Sequence, residues 1–369
     1  MSKIIQTIKK YDLLIIVPAL ALSVISLFFV YSSTKSFDSN TKYIAVQAGA
    51  MLLGFLMMVP ITMMDYEDIA LFWPVIAGAS IFIMILVLFI GIGGDEVGTK
   101  GWIRFGGIGI QPAEIVKICF IITLSLHISR VANDINYIKN VVLLLLHAAV
   151  PIGLVMLQPD TGTAMVYAFI FIVSVFLAGI DWRYILTAFT GFGLFAIAAW
   201  FFILPDYQKN RFFAFLNPEA SPADYGYHVI QSKIAIGSGG LTGKGFMKGV
   251  QTQLEYLPEK QTDFIYAVIG EEMGMLGCLL VLLLLMTIII RTIVIGKNAK
   301  TTLGTFICIG VASMWLFHTF ENIGMTIGLM PVTGIPLPFV SYGGSSIVTN
   351  FLALGLVLNV RMRKKTINF

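Results

Sequence analysis

FIYAVIGEEMGMLGCLLVLLLLMTIIIRTI (264–293) decides the fold class. It holds three charges, Glu271, Glu272 and Arg291, and none from Met273 to Ile290. A helix crosses the hydrocarbon core of a bilayer with roughly 20 apolar residues, so this stretch spans it with length to spare and should tilt or project. The same pattern recurs along the chain. By that test helices are expected over 12–32, 43–64, 69–92, 112–131, 140–158, 161–180, 183–204, 264–293, 301–330 and 340–360. The segments are continuously apolar rather than alternating, which excludes a membrane β-barrel.

Composition agrees. Of 369 residues, 57% are hydrophobic and 12% charged, and the mean hydropathy is +0.89. A soluble domain carries roughly 25% charged residues, so a water-covered enzyme, a disordered scaffold and a collagen-like fibre are excluded. The net charge of +4 gives no support to nucleic-acid binding. The expected protein is all-α and polytopic, a single membrane domain over 1–369 with about ten spans and one large loop, 205–263.

Ten spans put both ends of the chain on one side. Lysine and arginine decide which side. Lys3, Lys9, Lys10, Arg130, Lys139, Arg183, Arg291, Lys297, Lys300, Arg361, Arg363, Lys364 and Lys365 fall on the side of the termini, and only Lys35, Lys42, Lys100 and Arg104 in the short loops opposite. Both termini are therefore expected to be cytoplasmic, with 93–111, 205–263 and 331–344 outside. The spacing of Tyr, Phe and Ile between Tyr225 and Ile236 suggests a helix lying along the membrane surface. The first apolar run is too long for a signal-peptide core and no small-residue cleavage site follows it, so it should be a retained span.

Cys119, Cys278 and Cys308 each lie inside an apolar run, which gives no disulfide framework. His127, His147, His228 and His318 show no metal-ligand spacing. Ionisable groups at membrane depth are costly and usually functional. Glu114 and Lys117 sit at i and i+3 and can pair on one helix face, as a structural clamp or in a direct role. Glu321 falls near a helix end where it can reach the interface, and Asn322 suits an interhelical hydrogen bond.

Three polar segments flank the spans. GGDEVGTKGWIRFGGIGIQ (93–111) reads as a hairpin or re-entrant turn, and its Arg104 could hold a phosphate or carboxylate in two places at once or meet lipid headgroups. LEYLPEKQTDFIYAVIGEE (254–272) brings Glu255, Glu259 and Asp263 to a membrane boundary. Partial desolvation suits Asp263 to act as a general base, while the same position beside Thr262 suits a helix cap; the spacing leaves both open. PVTGIPLPFVSYGGSS (331–346) cannot continue a helix, and the amides of its SYGGSS turn are candidates for anion binding.

Five strings together carry a resemblance: GWIRFGGIGIQPAEIVK (101–117), QPDTGT (158–163), YHVIQSKIAIGSGGLTGKG (227–245), LPEKQTDFIYAVIGEEMG (257–274) and NIGMTIGLMPVTGIPLPFVSYGGSS (322–346). In this order, from end to end of the chain, they resemble the SEDS family of rod-shape, division and sporulation proteins (RodA, FtsW and SpoVE). PEKQTDF and the Ile-Pro after Gly334 look most like the elongation branch. Gln261 stands where a histidine is common in the family, so that side chain is not a titrating base.

The resemblance implies a peptidoglycan glycosyltransferase that polymerises lipid II on the outer face of the bacterial cytoplasmic membrane, inverting at MurNAc C1 and releasing undecaprenyl pyrophosphate. It implies Asp263 as the catalytic aspartate. Substrate contacts are expected from Arg104, Glu114, Lys117, Gln158, Asp160, Gln231, Lys244, Glu259, Thr262, Ser341, Tyr342 and Ser345, with Arg104, Lys117 and Lys244 as the basic side of a pyrophosphate groove. No cofactor is implied with certainty, and the metal requirement is open, with room for a divalent cation at the pyrophosphate. Expected partners are lipid II and the undecaprenyl-linked strand, a class B penicillin-binding protein, and elongation proteins such as MreC and MreD. A lipid II flippase, a scaffold that recruits the transpeptidase, and the division or sporulation paralogue are the rival readings. A flippase needs charges along a through-path, a polymerase a base at the outer boundary.

Overall fold

The computed structural model describes residues 12–37, 39–93, 100–105, 108–202, 209, 215, 217 and 225–363. Its helices are α1 (Leu13–Thr34), α2 (Asn40–Met63), α3 (Tyr66–Leu71), α4 (Trp73–Ile90), α5 (Pro112–Val131), α6 (Ile138–Met156), α7 (Thr161–Leu177), α8 (Trp182–Phe202), α9 (Tyr225–Gly239), α10 (Val250–Gln253), α11 (Ile265–Lys297), α12 (Thr302–Thr326) and α13 (Gly344–Met362), with a hairpin of β1 (Ile103–Phe105) and β2 (Ile108–Ile110) before α5. Among the described residues eight helices (α1, α2, α4, α5, α6, α11, α12 and α13) are long and apolar enough to cross a membrane, and α7 is apolar but shorter. The chain is a multi-pass, all-α membrane protein.

Helix boundaries differ from the sequence expectation where local chemistry intervenes. The span expected from 69 begins at Trp73, because the Asp65 carboxylate caps the short α3 by accepting from the Glu67 amide at 3.0 Å and Pro74 opens α4, a position that needs no backbone donor. Helix α12 stops at Thr326 and α13 starts at Gly344, which leaves 327–343 as loop. Helix α9 forms where the aromatic spacing suggested one, but it is docked on the bundle: Ser232 Oγ donates to the Thr326 carbonyl at 2.7 Å. Much of 205–224 and the stretch 94–99 of the 93–111 segment lie outside the described residues.

The long α11 bends instead of simply tilting. Gly274 has φ +67 and ψ −164 within it. The carbonyls of Glu271 and Glu272, freed by the bend, accept the amides of Lys244 and Gly245 at 3.0 Å each, while Met275 and Leu276 donate to the carbonyls of Gly240 and Leu241. Irregular backbone at membrane depth survives where protein re-satisfies it. A Cβ at Gly274 would stand 2.4 Å from the Gly243 nitrogen, so both the conformation and the close approach require glycine.

Helices α5, α12 and α13 form the centre: 89% of α13's apolar window is buried against 11% of α4's. Small residues set the packing distance, as where Gly54 of α2 faces the Phe351 ring of α13, with 2.9 Å for a Cβ there. Helix ends sort into two groups. At one end Asp12 is buried and its carboxylate accepts from Arg291 Nη2 at 2.7 Å and Nε at 2.9 Å, and from Arg361 Nε at 3.2 Å, joining α1, α11 and α13. At the other end lie the hairpin, 157–160, 240–263 and 327–343.

The Asp12 cluster yields a stability prediction. Charge-assisted hydrogen bonds contribute about 1.5–3 kcal/mol each, discounted here because both arginines are part-exposed. Asp12→Ala should destabilise the protein by roughly 2–3 kcal/mol in thermal unfolding in detergent, and Asp12→Glu by less. Equal unfolding temperatures for wild type and Asp12→Ala would contradict this reading of the cluster.

Candidate active site

The Asp263 turn is closed by its own backbone. The Glu259 carbonyl accepts the amides of Thr262, Asp263 and Phe264 at 3.1–3.2 Å. Glu259 itself has φ +46, a left-handed conformation that costs a non-glycine residue roughly 1–2 kcal/mol. Its carboxylate accepts from Thr262 Oγ1 at 3.1 Å and Gln261 Nε2 at 3.3 Å, ordering the turn. Phe264 takes the cap position of α11, so Asp263 lies one residue ahead of it, half-buried.

Three consecutive carbonyls of this turn are held by the facing segment and by α12. Tyr342 N donates to Gln261 O at 2.9 Å, Ser341 Oγ to Thr262 O at 2.6 Å, and Asn322 Nδ2 to Asp263 O at 2.9 Å. Asn322 also donates to Ile335 O at 2.8 Å, and Ser341 Oγ accepts from Leu337 N at 2.8 Å. Gln47 completes the tie from α2: its Nε2 donates to Ser341 O and its Oε1 accepts from Gly343 N, both at 3.1 Å. The 331–338 segment thereby faces Asp263. A Cβ on Gly334, which has φ +74, would stand 3.4 Å from Asp263 Oδ2.

Beneath that wall lies a buried chain of polar contacts. Lys117 Nζ donates to Glu114 Oε1 at 2.7 Å and contacts His318 Nε2 at 3.0 Å, and His318 Nδ1 lies 3.0 Å from Pro336 O. An ammonium has no acceptor, so Nε2 accepts and Nδ1–H donates, which fixes the neutral tautomer of His318. Lys117 is fully buried. It therefore bears on the wall through His318 and does not face the surface.

A second cluster buttresses the wall from α7. Asp160 caps α7 by accepting the Thr163 amide at 2.9 Å and accepts from Gln111 Nε2 at 2.7 Å, and burial pushes its carboxyl above the ordinary range against the pull of the Thr163 bonds. Gln111 N donates to Ser345 Oγ at 2.9 Å. Gly162 packs so closely on Thr333 that a Cβ would lie 2.6 Å from its carbonyl oxygen. Thr333 Oγ1 donates to Glu321 Oε1 at 3.0 Å. Glu321 is buried and holds the loop.

The expected site residues divide accordingly. Asp263, Glu259, Thr262, Ser341 and Tyr342 come together in one turn and its facing loop, with the Tyr342 ring 5.0 Å from that of Tyr43. Glu114 and Lys117 lie beneath, and Asp160 and Ser345 beside. Gln158 is buried, donating to Met84 O at 3.2 Å. Gln231 is half-buried on α9. Lys244 pairs with Glu271 at 2.9 Å, whose carboxylate also caps α10 by accepting from Gln251 N and from Thr252 N and Oγ1.

The three cations expected to line a basic groove, Arg104, Lys117 and Lys244, have different surroundings. Arg104 is exposed on β1, Lys117 is fully buried against Glu114 and His318, and half-buried Lys244 is paired with Glu271. The SYGGSS amides are not all open to an anion, since those of Tyr342 and Gly343 are spent on Gln261 and Gln47. Gln47, Gln111, His318 and Thr333 were not among the expected site residues. The one available signal was a polar side chain within or beside an apolar run. Among the described residues no three His, Cys, Asp or Glu side chains group to hold a metal ion.

The family model for cell cycle proteins of the FtsW/RodA/SpoVE type matches residues 11–366. The chain belongs to this family. It is 36% identical over 357 residues to peptidoglycan glycosyltransferase MrdB of Escherichia coli K12, covering 95% of each chain. It is 32% identical over 374 residues to the probable peptidoglycan glycosyltransferase FtsW of Geobacter sulfurreducens, covering 98% of each. Among solved structures it is similar to a chain of a peptidoglycan synthase complex described as coordinating polymerisation and crosslinking (26% identity, TM-score 0.79, 95% and 97% coverage). It is also similar to the rod-shape-determining protein RodA of Thermus thermophilus (26% identity, TM-score 0.70, 96% and 98% coverage).

The buried relay of this family member predicts energetic coupling between its parts. His318→Leu should cost about 3 kcal/mol in thermal unfolding, since it leaves a buried ammonium and the Pro336 carbonyl each short of a partner. Lys117→Met shares one of those bonds. The double variant should therefore fall short of the sum of the singles by at least about 0.5 kcal/mol. Strict additivity would contradict the relay.

Proposed function

We propose that this peptidoglycan glycosyltransferase polymerises lipid II, with Asp263 as the general base. The observation that carries the reading is the Asp263 turn, held through three successive carbonyls with its carboxylate facing Gly334 at the loop-bearing end of the bundle. The acceptor is the 4-hydroxyl of GlcNAc on one lipid II, and the donor is MurNAc C1 of the growing strand, linked to undecaprenyl pyrophosphate. The acceptor oxygen attacks C1, its proton passes to the Asp263 carboxylate, and the C1–oxygen bond to the pyrophosphate breaks. Attack opposite the leaving group inverts C1.

The remaining residues take supporting parts. Gly334 places no side chain against the carboxylate, where a Cβ would stand 3.4 Å from Asp263 Oδ2, and Glu259 and Thr262 order the turn. Arg104, exposed on the hairpin, is the cation placed to meet a phosphate. Glu114, Lys117 and His318 act on the wall from beneath. The charge bias along the chain supports placement in the bacterial cytoplasmic membrane with both termini inside and Asp263 outside. Because strand crosslinking needs a transpeptidase, the fitting partner is a class B penicillin-binding protein, alongside elongation proteins of the MreC and MreD kind.

A positioned base contributes roughly 10²–10⁴-fold in rate. Purified Asp263→Asn protein should lose polymerisation of labelled lipid II by that factor, with its unfolding temperature and its binding to the transpeptidase retained. Glycan synthesis within an order of magnitude of wild type would remove Asp263 from the chemistry.

A further inference from the structure

A cavity of about 410 Å³ opens between α4, α5 and α6, away from the Asp263 turn. That volume falls in the range of small-molecule pockets, about 300–1,000 Å³. Its walls are mostly apolar, including Ala77, Met84, Val116, Phe120 and Leu154. At a helical rise of 1.5 Å per residue, the wall from Val116 to Arg130 on α5 runs about 21 Å. The shape suits a single hydrocarbon chain lying along the helix.

One end of the cavity is polar. Arg130 closes α5 and lies 5.5 Å over the Trp73 ring at the start of α4, at the end of the bundle opposite Asp263. Arginine and tryptophan are the pair that anchors at headgroup depth, and a guanidinium meets phosphate through two parallel bonds. Next along the wall stand two stacked histidines, ring centroids 5.3 Å apart. Thr123 Oγ1 donates to the Cys119 carbonyl at 3.0 Å, so it accepts from His147 Nε2–H at 3.1 Å. Neutral His147 then accepts at Nδ1 from His127 Nδ1–H, also at 3.1 Å. The His127 Nε2 lone pair remains as an acceptor beside Arg130, which suits a hydroxyl next to a phosphate.

We propose that this cavity binds an anionic glycerophospholipid, with one acyl chain along α5, its phosphate on Arg130 and a headgroup hydroxyl on His127. The lipid belongs to the leaflet opposite the Asp263 turn, so it is separate from the glycan substrate. It fills the gap between α4 and the α5–α6 pair.

The test uses the full-length protein in detergent, scored by native mass spectrometry for retained lipid. Phosphatidylglycerol, phosphatidylcholine and undecaprenyl phosphate are added in turn. Wild type should retain one phosphatidylglycerol at least fivefold over either of the others. Arg130→Gln, an exposed change, should remove that preference. Ala77→Phe, which fills the cavity and keeps the arginine, should lower retention equally, with unfolding temperature as the folding control. If Ala77→Phe does not fold, quenching by brominated acyl chains that is lost in Trp73→Phe takes its place. Equal retention of all three lipids, preference for undecaprenyl phosphate, or loss with Arg130→Gln but not with the cavity variant or readout would overturn the proposal.

Discussion

Three hydrogen bonds on consecutive carbonyls, from Tyr342 to Gln261, Ser341 to Thr262 and Asn322 to Asp263, set the geometry on which the site depends. A surface turn carrying a carboxylate samples many positions, and ordering it costs conformational entropy at every residue. Here that cost is offset by bonds to a loop that is itself immobilised. Prolines 331, 336 and 338 restrict the loop's backbone, and Asn322 and Ser341 each bond both the loop and the turn. A partly enclosed carboxylate on such a support is the arrangement a general base requires, since a misplacement of 1 Å is costly in rate.

The wall is held from three directions. From α5 and α12 comes the Lys117–His318 relay to Pro336, from α7 the Gly162 approach to Thr333, and from α2 the Gln47 clasp on Ser341 and Gly343. The Gly162 approach is steric, while the relay and the Gln47 clasp use polar groups held inside the protein, where an unsatisfied donor or acceptor is expensive. Removing one member of either polar tie therefore leaves an orphan. The far end of the bundle is clamped separately by Asp12 with Arg291 and Arg361.

Much of this was legible in the sequence because bilayer thickness is a coarse ruler. Long uncharged runs such as 273–290 announce a span whatever their packing, and prolines and glycines over 331–346 announce a loop. The Gly274 bend was not legible, since glycine is common in membrane helices and its conformation is set by the 240–245 turn lodged against it. Lys117 and Lys244 were read as phosphate ligands because cations at depth are rare. Sequence spacing cannot show that His318, 201 residues away, or Glu271, 27 away, already holds them. The fate of a charge is a long-range contact, and the existence of a span is a local one.

The pH dependence of lipid II polymerisation tests the central claim most directly. A carboxylate base works only when ionised, so the wild-type rate should fall toward acid along a limb of one ionisation. The small residual rate of Asp263→Asn should be flat over the same range, because the group that titrates is gone. Persistence of the wild-type acid limb in Asp263→Asn would assign the proton transfer to another group and contradict the account.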